Sequence, residues 1–151
     1  MSDTIVENLN LRGYPEVKLY NRVGELIHYE EVPNLITTAG KEVFAGNLLA
    51  DRGDRETVAS IAIGTGLTEA TLDDLLMEDE SADEPVRFEM TELNFASFIS
   101  TFEENVASDQ QISEIGLYGS KRTLICRTIL INPFYKAPTD YLVINWKIQI
   151  G

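Results

Sequence analysis

The residue types that most often carry chemistry are scarce in this chain. A single histidine, His28, sits in the strand-like run Leu26-Ile27-His28-Tyr29, with no second histidine to complete a triad or a zinc site. The single cysteine, Cys126, lies in an apolar run and reads as a buried, inert thiol; it excludes an intrachain disulfide. Gly64-Thr65-Gly66 follows an apolar run as a phosphate loop would. Neither the third glycine of a dinucleotide fingerprint nor the Lys-Ser/Thr pair of a P-loop comes after it, so the spacing predicts a tight turn. Arg52-Gly53-Asp54 matches the tripeptide read by integrins and here reads as a charged turn closing a helix. No set of nucleophile, base and metal ligands can be assembled. The expectation is a protein that is not an enzyme and that uses no cofactor or metal.

Acids outnumber bases 25 to 12, giving a formal net charge of −13 and a pI near 4.4. Phosphate backbones and the anionic face of a membrane would be repelled, which excludes nucleic acid and membrane as expected partners. The charge is local. Between Arg55 and Arg87 there is no Lys or Arg, and nine acids from Glu56 to Glu84 fall in that interval. The consecutive Glu78-Asp79-Glu80 lacks the alternating order of a calcium loop. No aromatic cluster accompanies the stretch to hold a sugar for paired-carboxylate hydrolysis. It reads as a solvated acidic loop.

The elements that must position these residues follow from periodicity. With 151 residues, 44% of them hydrophobic, the chain has one domain's worth of core-forming length. Residues 1–13 alternate weakly and read as an N-terminal arm ahead of a single domain over 14–151. Asn21-Arg22-Val23-Gly24 is flanked by Val17, Leu19 and the run from Leu26, which predicts a hairpin. Thr37 or Thr38 can cap a helix running to Ala50, with Val43, Phe44, Leu48 and Leu49 on its inner side and Gly40 and Gly46 weakening it. Val58 to Ile63 reads as a buried strand. Thr71 and Asp74 resemble a capping box opening a short helix around Leu72, Leu75 and Leu76. From Val86 the period is two, through Phe88 and Met90 and then Ala96 to Phe102; Ile112 to Tyr118 is a further strand, which Gly119-Ser120-Lys121-Arg122 turns into Leu124 to Ile131. Leu142, Ile144, Trp146, Ile148 and Ile150 make the clearest strand. Pro133 and Pro138 bracket Phe134 and Tyr135, which predicts a loop there. The fold expected is mainly β, an antiparallel β-sandwich with one or two short α-helices and an N-terminal arm.

A family resemblance rests on the order of three motifs. Asn34-Leu35-Ile36-Thr37-Thr38-Ala39-Gly40 opens a helix, Ile61-Ala62-Ile63-Gly64-Thr65-Gly66 ends a strand, and Glu114-Ile115-Gly116-Leu117-Tyr118 follows an acidic link. This order, over roughly residues 34 to 131, resembles small tailed-bacteriophage virion proteins and the N-terminal domain of phage tail-collar fibre proteins. The resemblance implies a structural accessory protein of the virion, made in the host bacterial cytoplasm, without cofactor or catalytic residues. Capsid decoration or cementing is the leading expectation, with a tail, neck or baseplate position as the alternative. The implied partners are major capsid or tail proteins, and a homotrimer is the implied unit. An apolar arm can add a strand to a neighbour's open edge, with Ile5, Val6, Leu9 and Leu11 supplying buried contacts. A glycan- or receptor-binding module is the alternative class, using Tyr118, Phe134, Tyr135 and Tyr141.

Overall fold

The computed structural model describes residues 11–49, 55–92 and 94–150. In chain order the elements are β1 (Leu11–Tyr20), β2 (Leu26–Glu31), β3 (Leu35–Ile36), α1 (Thr38–Leu49), β4 (Val58–Gly64), β5 (Glu80–Pro85), β6 (Arg87–Glu92), β7 (Phe95–Phe102), β8 (Gln110–Gly119), β9 (Leu124–Lys136) and β10 (Tyr141–Ile150). Two five-stranded antiparallel sheets, ordered β2-β1-β10-β7-β6 and β3-β9-β8-β4-β5, pack face to face as a β-sandwich.

Alternation builds the first sheet. Val17 and Leu19 of β1 pair with Ile144 and Leu142 of β10, and all four are buried. Trp146 and Ile148 continue that face. They meet Ile61, Ile63, Ile115, Leu117 and Ile125 of the second sheet in one core. Burying such a side chain contributes about 1.5–3 kcal/mol, and every second residue of the inner strands does so. The β1–β2 hairpin turns through Asn21, whose side-chain oxygen accepts from the amides of Val23 and Glu25. Gly24 takes a left-handed φ of 85° there, a conformation open to glycine at no steric cost.

The second sheet departs from simple alternation. Residues Ile112 to Gly119 of β8 are buried without interruption. The reason is a second covering layer: the chain from Thr65 to Asp79 lies over the outer face, where Met77, Tyr118, Leu124 and Ala62 form a small core of their own. The short helix expected around Leu72, Leu75 and Leu76 is not formed. Thr71 and Asp74 do bond to each other, the Thr71 amide and hydroxyl both donating to the Asp74 carboxylate and the Asp74 amide donating to the Thr71 carbonyl. They close a turn, with Leu75 and Leu76 exposed. No apolar stripe docks on the sheet, and an isolated turn without packing does not propagate. The second half of the acidic stretch, expected as loop, is the edge strand β5, paired with β4.

The helix expectation holds at its start. Thr37 Oγ1 accepts from the Gly40 amide at 2.9 Å, and the Thr37 carbonyl accepts from Lys41. The Gly40 backbone is pressed against β9, where an added Cβ would lie 2.3 Å from the Ile125 carbonyl oxygen. Val43 and Phe44 pack on the core, but Leu48, expected inside, is 84% exposed.

Two further corrections concern boundaries. Leu11, Arg12 and Gly13, expected in the arm, pair with Ile150, Gln149 and Ile148 in the ladder, and the rest of that expected arm lies outside the described residues. Phe134 and Tyr135 are not in a loop but in β9, opposite Ile112 and Gln111. Pro133 is accommodated because residues 130–133 of β9 bulge out opposite Ser113, where no ladder hydrogen bond is required of it.

Candidate interaction surface

Polar side chains inside the sandwich act as braces. Glu114 is fully buried on the outer face of β8, and its carboxylate accepts from the amides of Gly66, Glu78 and Asp79. Arg127 of β9 lies opposite Gly116 and reaches diagonally to Glu114, its Nε and Nη2 both 3.0 Å from Oε2. The same guanidinium donates to Asp74 at 3.0 Å and to the Thr68 carbonyl at 2.8 Å. One buried ion pair thus fastens both ends of the 65–79 segment to the sheet. Burial alone would raise the Asp74 carboxyl, but bonds from Thr71 and Arg127 hold it below its ordinary value. The Glu78 carboxylate, bonded at Thr68 and Leu67, is held low as well. The acidic stretch is therefore tied into its own chain: Arg122 bridges Glu80 and Asp83, and Thr65 donates to Asp79.

Other braces close the remaining irregularities. Glu30 of β2 accepts the amides of Ile131 and Asn132, satisfying the β9 bulge from the opposite sheet. Its neighbour His28 lies 3.6 Å from the same carboxylate and packs against the Phe134 ring, with centroids 4.7 Å apart. Glu56 accepts from Lys121 and Thr123 and so caps the β8–β9 turn. Lys136 is buried, and its ammonium donates to the carbonyls of Glu103 and Asp140 and to Ser108. Burial lowers its pKa. Cys126 is fully buried and its thiol is pushed up to about 12, outside the range of a reactive thiolate. Among the described residues no group of three or more His, Cys, Asp or Glu could hold a metal ion.

The residues expected to bind a partner are distributed unevenly. Ile5, Val6 and Leu9 lie outside the described residues, as do Arg52, Gly53 and Asp54. Leu11 is the first residue of β1. Phe134 is buried under His28, whereas Tyr135 is 56% exposed and its hydroxyl donates to Asp109. Tyr118 is buried too, its hydroxyl accepting from the Met77 amide and its ring beneath the Arg122 guanidinium. Tyr141 stacks on Tyr20 with ring centroids 5.0 Å apart, so of the four aromatics Tyr118 and Phe134 are buried and Tyr135 is exposed.

The surface feature that sequence reasoning missed is apolar. α1 leaves two hollows at one end of the sandwich, and Phe44 lines both. One, of about 280 Å³, is bounded by Leu11, Lys41, Ala45, Leu48 and Ile150. The other, of about 370 Å³, has Val43, Val58, Phe88, Phe98 and Ile125 in its wall. Phe88 is 77% and Ile150 45% exposed. Each side chain fits its local apolar pattern, so nothing in one dimension marks it as uncovered. The Glu114–Arg127 brace did leave a trace, as a lone charge in each of two apolar runs. Compared with known proteins, the chain matches no family model, no curated protein and no solved structure.

Proposed function

We propose that this chain is a structural accessory protein of a tailed-bacteriophage particle that decorates or cements the capsid shell. The motif order across residues 34 to 131 suggests the class, and the observation that carries the non-catalytic part is the state of the polar side chains. The buried Glu114, Glu30, Glu56 and Lys136 are each bonded to backbone that they hold in place. They act as braces, and Glu56, which also lines the second hollow, has its carboxylate taken up by Lys121 and Thr123. What the surface offers instead is apolar area near the start of β1, the kind of feature that marks protein contacts. In this reading the N-terminal segment, with Ile5, Val6, Leu9 and Leu11, meets other virion proteins, and a homotrimer multiplies the contacts by avidity. A tail, neck or baseplate position is the alternative location.

The test is imaging of purified particles with the protein labelled. A regular pattern over the shell is expected. Label confined to the tail or neck gives the alternative, and absence from particles overturns both. Removal of residues 1–10 is expected to abolish particle association while Trp146 fluorescence of the purified domain stays native.

A further inference from the structure

The first sheet has a recess on its outer face, the face turned away from the core. Side chains alternate along β7 and β10, so Phe98 and Trp146 point inward while Phe95, Ser97, Asn145 and Lys147 point outward. These four and Glu92 of β6 line a hollow of about 370 Å³, within the size range of small-ligand sites. Its polar groups lie deep for an outer face. Ser97 is 3% exposed, and Asn145 Oδ1 is out of water with no hydrogen-bond partner. A buried acceptor without a donor is costly, and a ligand hydroxyl entering the hollow would supply that donor. The Asn145 amide can turn to meet it, because the last torsion of an asparagine is broad and two-fold.

The lining also selects the ligand's charge. The cation in it, Lys147, already faces Glu16 and Glu31, 3.5 Å from a carboxylate oxygen of each. An anion would have to compete with both carboxylates, in a chain of net charge −13. A metal ion finds no group of three His, Cys, Asp or Glu among the described residues. A neutral sugar uses what is there. Its hydroxyls both donate and accept, as the amide of Asn145 and the hydroxyl of Ser97 do, and its C–H face packs on an aromatic ring such as Phe95.

We propose that this hollow binds one ring of a neutral sugar, with Asn145 and Ser97 bonding its hydroxyls, Phe95 packing under its C–H face, and Glu92 and Lys147 supplying the charged sides. The site shares no residue with the hollows beside α1, nor with Tyr118, Phe134, Tyr135 and Tyr141. It belongs to the isolated chain and stands or falls apart from the particle reading.

The test is a titration of the full chain, labelled with nitrogen-15, against glucose, galactose, mannose and N-acetylglucosamine and against short neutral oligosaccharides of each. At least one is expected to move the amide signals of Phe95, Ser97, Asn145 and Lys147, and the Asn145 side-chain amide, with saturation in the millimolar range or below. An oligosaccharide that binds more tightly than its monosaccharide assigns the ring to a polymer, and equal affinity assigns a free sugar; both keep the site. Glucuronate and choline are the charged controls. If either binds as well as the best neutral sugar, the proposed class is wrong. Asn145→Ala is expected to weaken binding at least tenfold and Ser97→Ala, the smaller change, severalfold. Amide signals away from the hollow and Trp146 emission should stay native in both variants. Three results overturn the proposal: no sugar of the panel moves these signals, the shifts cluster elsewhere, or affinity survives both substitutions in folded protein.

Discussion

Glu114 and Arg127 show how much one buried pair can organise. A carboxylate out of water is tolerated when its lone pairs are filled, and Glu114 fills them with three backbone amides and a guanidinium. Glu114→Gln is expected to cost about 3 kcal/mol, because Arg127 is left buried with its charge less compensated. The denaturant midpoint is the measure, and amide exchange should rise first in residues 65–79. Asp74 adds a pH dependence. Its folded pKa lies below the ordinary value of 3.8, so its contribution is complete above that value and disappears as the pH falls through the folded one. Acid titration from about pH 5 to about pH 2 should show early loss of protection in the 65–79 segment, reduced in Asp74→Asn. Phe134 and Tyr135 separate in the same way by environment. Phe134→Ala should lower stability by about 3–5 kcal/mol, and Tyr135→Ala should stay within about 0.5 kcal/mol, in thermal melts.

At the scale of elements, α1 contains two glycines with opposite consequences. Gly46 has open space around it, so Gly46→Ala should stabilise the helix by about 1 kcal/mol and raise the melting temperature. Gly40 sits against the Ile125 backbone, and Gly40→Ala should lower it, because a Cβ there displaces the helix start from β9. An identical change has two signs, and only the neighbour decides which. The predicted second helix failed for a related reason. Thr71 and Asp74 make the capping pair that their spacing suggests, but Leu75 and Leu76 find no surface to bury. β5 carries acids and a proline along an open edge, which protects that edge from pairing with another chain. Charge that looked like a solvated loop therefore also acts as edge protection.

At the scale of the whole molecule, both sheets share one core, and Trp146, the only tryptophan, lies fully buried in it. Loss of Trp146 emission and loss of far-ultraviolet circular dichroism should coincide in denaturant, as expected for one cooperative unit. Separate midpoints would mean that the sheets unfold independently.

Much of this architecture is legible along one dimension. Period-two alternation marks β1, β7 and β10; Asn21 and Gly24 mark the hairpin; Thr37 marks the helix start. These are local effects, set by residues a few positions apart. The β8 run from Ile112 to Gly119 gives no such guide, because both of its faces are covered and the second cover comes from a segment dozens of residues earlier. Folding also decided that Pro133 could sit inside a strand, since the bulge is satisfied by Glu30 from the other sheet. It left Leu48 and Phe88 bare as well. Alternation and capping are encoded by neighbours in sequence, whereas coverage depends on which distant segments arrive on a face.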